Sequence, residues 1–274
     1  MSRKNAFLGL LNQKGQALLI IVLVMVVALT VGLSVASRTI INLRNSSDQA
    51  SSQQALSAAE AGIERAIVTS NTSNIQGGLP GNSSYTTTIA SVSGTNPFLI
   101  NGGNLVPKDD AVYVWLTPYS SNPQTQWINP WTGSFTVYWG DASGSCNNAA
   151  LEVAVINGPK GAPTITRYAI DPCAARTGNN NFTAATVSSP AFLVGGKSLT
   201  YKTTISISSG LLVRINPIYS NAYIATSGTS ALPDQGTTIT STGTSNSSTT
   251  RKVTVFQGYP EIPAELFPYS LFSP

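Results

Sequence analysis

The sequence predicts an α+β protein. One long N-terminal α-helix, its first half transmembrane and its second half amphipathic, precedes a mainly antiparallel β-sheet globular domain. Three observations carry this prediction. Residues 15–37 contain no charged side chain, and most are aliphatic. Apolar residues then recur at helical spacing to Val68, with no proline before Pro80. Beyond that point, short runs of β-branched and aromatic residues alternate with Gly, Pro, Asn and Ser. Many short strands separated by turn-rich gaps favour an antiparallel sheet over βαβ units.

Composition narrows the chemistry. Only 9% of the 274 residues are charged, against about 25% in an average soluble domain. The chain has no histidine and two cysteines. Ser-His-Asp triads, Cys-His dyads, imidazole metal sites, four-cysteine zinc sites and iron–sulfur clusters cannot be assembled from it. The expectation is a chain that is not an enzyme and carries no cofactor or metal. An enzyme would need an all-carboxylate site, such as a glycosidase pair, and the sequence offers no clear candidate. Of the 15 basic residues, Arg3, Lys4 and Lys14 lie in the first 15 positions, where no acid occurs; the remaining 12 face 11 acids. The positive net charge is therefore a basic head, and no clustered surface for nucleic acid is predicted.

The first element is the apolar run. From Ala17 to Leu29 it is apolar on every face, and about 20 such residues span a bilayer as a helix. With the basic head before it, the N-terminus is expected inside and the rest of the chain outside. Ser34-Val35-Ala36 would suit a signal-peptide cleavage site, but the apolar run exceeds the ~7–15 residues of a secretory signal. The helix continues past Arg38: Ile40, Ile41, Leu43, Ala50, Leu56, Ala59, Ile63, Ala66 and Ile67 form a stripe with Glu60, Glu64 and Arg65 between them. This second half is expected to lie on the globular domain.

Two stretches here carry a resemblance. Lys14-Gly15-Gln16-Ala17-Leu18-Leu19-Ile20 with the apolar run behind it, and Ala55-Leu56-Ser57-Ala58-Ala59-Glu60-Ala61-Gly62-Ile63-Glu64, are similar to type IV pilin-like proteins, above all PilX-type minor pilins. The resemblance covers about residues 10–68. It implies a leader, residues 1–15, cut after Gly15 by a prepilin peptidase. Lys14, Gly15 and Gln16 are then the processing residues, and Gln16 is the mature, N-methylated terminus. Residues 16–68 become the long helix, with 16–37 as membrane span and filament core. Other pilin subunits, the assembly platform, the peptidase and the membrane are the implied partners. Ile20 stands where most major pilins carry glutamate, which implies a priming or tip subunit.

The exported domain, 69–274, begins with a polar stretch over 69–84 that reads as a linker. Strands are predicted at 85–92, 111–117, 134–139, 151–156, 164–170, 199–208, 211–218, 221–225 and 251–257, with no helix after residue 70. Residues 226–250 are so rich in Ser and Thr that they read as an exposed hairpin or linker, or as a glycosylated or adhesive stretch. Pro260, Pro263, Pro268 and Pro274 punctuate an extended tail carrying Phe267, Tyr269, Leu271 and Phe272.

Several motifs compete with plain structural readings. Cys146 and Cys173 are expected to form a disulfide outside the cytoplasm. Gly195-Gly196-Lys197-Ser198 looks like the end of a phosphate loop, but it leads into a strand where a phosphate loop needs a helix; a hairpin turn is the better reading. Asp109-Asp110 lacks calcium-loop spacing, and Asp141 and Asp171 flank the two cysteines. Trp115, Trp127, Trp131 and Trp139 either pack as core or form a platform for carbohydrate or a host or other cell surface.

The expectation is a minor pilin-like subunit of a type IV pilus-like filament, acting in assembly, priming or tip display and adhesion. It would start as a single-pass precursor in the cytoplasmic membrane and end in an extracellular filament. A type II secretion pseudopilin and a non-polymerising membrane-anchored surface binding protein are the alternatives.

Overall fold

A computed structural model describes residues 13–69, 73–94, 96–122 and 124–260, with side chains from Leu18 onward. The first element is a single helix, α1 (Gln13–Thr69), of 57 residues. At ~1.5 Å per residue it is about 85 Å long. No proline interrupts it, and its threonines bond back to the helix: Thr30 Oγ1 donates to Val27 O at 2.8 Å and Thr39 Oγ1 to Val35 O at 3.0 Å. An apolar span tolerates threonine in this way, because the donor never needs water.

Every residue from Leu18 to Ala50 is exposed. Docking begins only after that, through Ala55, Ala58, Ala59, Gly62, Ile63 and Ala66, all buried. The expected stripe is thus shifted. Leu56 and Ile67 face solvent, as do Ile40, Ile41 and Leu43. Small residues hold the inner face because the sheet approaches the helix backbone closely.

That sheet is four-stranded. After the helix come β1 (Ile75–Leu79) and β2 (Ser83–Ser91), so the expected linker over 69–84 contains a strand and the start of another. The remaining two strands come from the far end of the domain, and the order is completed below. A second sheet contains β3 (Phe98–Leu99), β4 (Val112–Trp115), β5 (Trp131–Trp139), β6 (Ala150–Asn157) and β7 (Thr164–Asp171). A short helix, α2 (Ala174–Asn180), follows Cys173 and ends at Asn181 in the left-handed conformation, a residue that tolerates such a cap. No helix was expected after residue 70; its polar, Asn-rich sequence gives no apolar stripe to read.

Next come β8 (Thr183–Ala184), β9 (Thr186–Val194), the 22-residue β10 (Lys197–Ile218) and β11 (Ile224–Gly228). Then β12 (Gly236–Thr244) and β13 (Thr250–Gly258) close the first sheet in the order β1-β2-β12-β13. Part of the Ser/Thr-rich stretch is therefore β12, an inner strand on which α1 lies, rather than an exposed linker. The second sheet runs β3-β11-β5-β10-β6-β7-β8, with β4 and β9 also paired to β10. All pairings are antiparallel except β7 with β8.

The two expected strands 199–208 and 211–218 are one strand, β10. Its register shifts against β5 between Ile207 and Gly210, and against β6 between Gly210 and Leu212. The first half therefore pairs β5 and β9, and the second half β6 and β4. Ile205 and Ile207 from one half meet Val213 and Ile215 from the other in one core, with Phe135, Val137, Trp139, Leu151 and Val153. The extended tail expected at Pro263, Phe267, Pro268, Tyr269, Leu271, Phe272 and Pro274 lies outside the described residues.

Candidate functional site

The feature that distinguishes this chain is the passage of one helix from bare to seated. Its exposed part, Leu18 to Ala50, is about 50 Å long at ~1.5 Å per residue, more than the ~30 Å of a bilayer core. The described helix is apolar and long enough to cross a membrane. Between Leu18 and Val35 that exposed surface is aliphatic on nearly every face, and apolar surface left in water costs on the order of 25 cal/mol for each Å², so this part is compatible with a membrane anchor. Lys14, Gly15 and Gln16 lie in the first turn of α1; residues 1–12 of the expected leader lie outside the described residues.

The seat is built from small side chains. Gly243 on β12 comes so close to the helix that a Cβ there would overlap the Ala55 carbonyl and the Ala59 amide. Gly62 faces Ser241, Thr87 and Tyr85 with equally little room. Thr87 Oγ1 donates to Ser241 Oγ at 3.0 Å, both residues being fully buried. This hydrogen bond satisfies the two hydroxyls, which would be costly to bury alone. Around it, Ile63 and Ala66 pack with Ile239, Ile75, Ile89, Val253 and Val255. Arg251 Nε donates to Ser52 Oγ at 2.8 Å where the helix first meets the sheet. Ala55, Ala58, Ala59, Gly62 and Ala66 recur at spacings of three and four, the one signal in the sequence that could have located the seat.

Between the sequence segments that build the seat, Cys146 and Cys173 are joined as a disulfide. A second tie reinforces them. Asp171, fully buried, accepts from Arg176 Nη2 at 2.7 Å, from Arg176 Nε at 2.9 Å, from Cys173 N at 2.8 Å and from Asn180 Nδ2 at 3.0 Å. Arg176 also donates to Cys146 O and Asn148 O at 2.9 and 2.8 Å, and its guanidinium lies over the Tyr219 ring. One arginine thus bridges both cysteine segments. Of the two carboxylates near the cysteines, Asp171 thus serves the fold through its ion pair with Arg176.

The four tryptophans are mostly interior. Trp115, Trp131 and Trp139 are buried, with Trp131 Nε1 donating to Ala231 O at 3.2 Å and Trp139 Nε1 to Ala149 O at 2.9 Å. Trp127, half-buried, stacks on Trp115 at 5.1 Å, and Tyr119 meets Trp115 edge-on. Of the two readings of these residues, core packing describes three of them: they sit on alternating strand positions that the sheet turns inward. Among the described residues, no group of three or more His, Cys, Asp or Glu gathers as metal ligands. Asp109 and Asp110 lie in the turn leading into β4, where Asp109 has a positive φ and Asp110 Oδ1 accepts from Ala111 N. Compared with protein-family models, with curated proteins and with solved structures, the chain matches none.

Proposed function

We propose that the chain is a minor pilin-like subunit of a type IV pilus-like filament, acting in its assembly, priming or tip display. The observation that carries the reading is the uninterrupted α1, bare from Leu18 to Ala50 and seated by small residues from Ala55 to Ala66. A helix that only tethered a domain would need no rigid continuation into it. Continuity fixes the height and orientation of the domain on its apolar stem, which a subunit needs when stems pack side by side. An all-round apolar stem can exchange lipid neighbours for helices without losing apolar cover.

In this reading a prepilin peptidase cuts between Gly15 and Gln16, the N-terminus faces the cytoplasm, and the domain lies outside. The disulfide suits an exported location. With Ile20 in place of a carboxylate, the stem forms no charge pair inside the bundle, consistent with a subunit present in few copies. The partners are other pilin subunits and the assembly platform.

Fractionation of surface filaments tests the proposal. The chain is expected in sheared filaments from cells with an active prepilin peptidase and to be lost from them when the peptidase is deleted. Retention wholly in the membrane in both strains would overturn it in favour of a non-polymerising anchor. Recovery only with a secretion apparatus would identify the pseudopilin alternative.

A further inference from the structure

Two sequence features have no part in the helix or its seat: the Gly195-Gly196-Lys197-Ser198 run and the lone Asp141. The fold brings them to one cleft of about 300 Å³. Gly195 and Gly196 have φ of +54° and +75° and form the tight turn in which Val194 pairs with Lys197. Positive φ at both central residues is the geometry such hairpins require. The turn places Lys197 at the start of β10, with its Nζ 3.9 Å from the centroid of the Tyr223 ring. Among the described residues no carboxylate forms an ion pair with it.

Asp141 stands in the loop after β5 and lines the same cleft. Its Oδ1 accepts from Ser143 N at 2.8 Å, while its own backbone N donates to Asn148 Oδ1 at 2.8 Å. The Ser143 hydrogen bonds hold its carboxyl below the ordinary aspartate range, so the group is anionic at neutral pH. Asn221 is fixed by accepting from Lys108 N at 2.9 Å, which leaves its amide NH₂ to donate. Ser198 adds a hydroxyl, and Leu105 and the Tyr223 ring add apolar surface.

One carboxylate and one ammonium that do not neutralise each other, with hydroxyl and amide partners and an aromatic wall, select a ligand by exclusion. A bare cation is opposed by Lys197; a phosphate, mostly dianionic at neutral pH, is opposed by Asp141 more strongly than a single carboxylate and brings no neutral hydroxyls to donate to it. An apolar segment would bury both charges unpaired, at high cost. A carboxylated polyol meets all of the groups. We propose that this cleft binds the carboxylated ring of an acidic saccharide, with its carboxylate on Lys197 and its hydroxyls on Asp141, Asn221 and Ser198. The role of such binding in attachment rests on the tip-display reading, since the domain must face outward. Binding itself does not depend on it.

The test uses the full chain in detergent micelles, titrated with D-glucuronate and D-galacturonate and with their methyl esters, followed by saturation-transfer NMR and calorimetry. At least one uronate is expected to bind saturably, and its ester at least about tenfold more weakly, the loss typical of one charge-assisted contact. Lys197→Gln should bring uronate affinity down to that of the ester. Asp141→Asn should weaken uronate and ester alike. Asp141 is exposed and Lys197 only half-buried, and unchanged near-ultraviolet circular dichroism shows that each variant is folded. Absence of saturable uronate binding, binding indifferent to both substitutions, or preferential binding of glycine as a simple zwitterion would each overturn the site. None of these results bears on cleavage after Gly15 or on filament location, so failure here is distinguishable from failure of the pilin-like reading.

Discussion

At the scale of single residues, the side chain that matters most at the seat is one that is missing. Gly243 lets β12 approach the helix backbone, and a larger residue would meet peptide groups that cannot rotate away. Gly243→Val is expected to cost about 3 kcal/mol, the upper part of the overpacking range, in denaturant unfolding of the detergent-solubilised chain. Thr242→Val, on the other face of the same strand, should stay within about 1 kcal/mol. At the disulfide end, Arg176→Met strands the buried Asp171 carboxylate and should cost about 3 kcal/mol by the same measurement. Asp141 contributes in a pH-dependent way. Its folded-state pKa is lowered by Ser143, so its contribution is present at neutral pH and lost as pH falls through that lowered value. Asp141→Asn should therefore flatten the acid limb of the stability profile.

At the scale of elements, α1 was legible in the sequence from its charge-free run, its missing prolines and its apolar periodicity. Its seat was not. Periodicity arguments weigh large apolar residues, and here Leu56 and Ile67 point outward while Ala55, Ala58 and Gly62 point in. The same bias hid β12, because Ser241 and Gly243 are chosen for smallness rather than hydrophobicity. Strands with aromatic and β-branched residues, such as β5 and β13, announced themselves; the two-residue β3 and β8 and the polar α2 carry too few residues to form a pattern. The bare half of the helix gives a direct prediction. Val26→Asp, at the middle of the span, should oppose membrane insertion by about 3 kcal/mol, read as a shift of the chain into the soluble fraction on alkaline carbonate extraction.

At the scale of the whole molecule, the two ends of the described domain meet. β1 and β2 follow the helix directly, yet they form a sheet with β12 and β13, and Thr87 and Ser241 are 154 residues apart. The first sheet is tied to the second through Gln235, whose side chain accepts from Trp115 N at 2.7 Å and donates to Trp115 O at 2.8 Å. Such pairings depend on distant partners, which local patterns do not encode; hence the fold class was readable and the strand order was not. Cys146 and Cys173 were readable as a pair from compartment alone, whereas Arg176, which doubles their tie, gave no sequence signal. Replacing both cysteines by alanine should lower stability by about 3 kcal/mol on the loop-entropy account and still leave a folded domain, because Arg176 continues to bridge Cys173's neighbours to residues 146 and 148; unfolding curves and circular dichroism check both parts. On the proposed reading, the stem is processed and packed as a pilin-like subunit. Intact-mass and N-terminal peptide mass spectrometry of the chain extracted from membranes tests it most directly: a mature N-terminus at Gln16 bearing one added methyl group is the predicted result, and an uncut chain in cells with an active prepilin peptidase, or a start at Ser37, would contradict it.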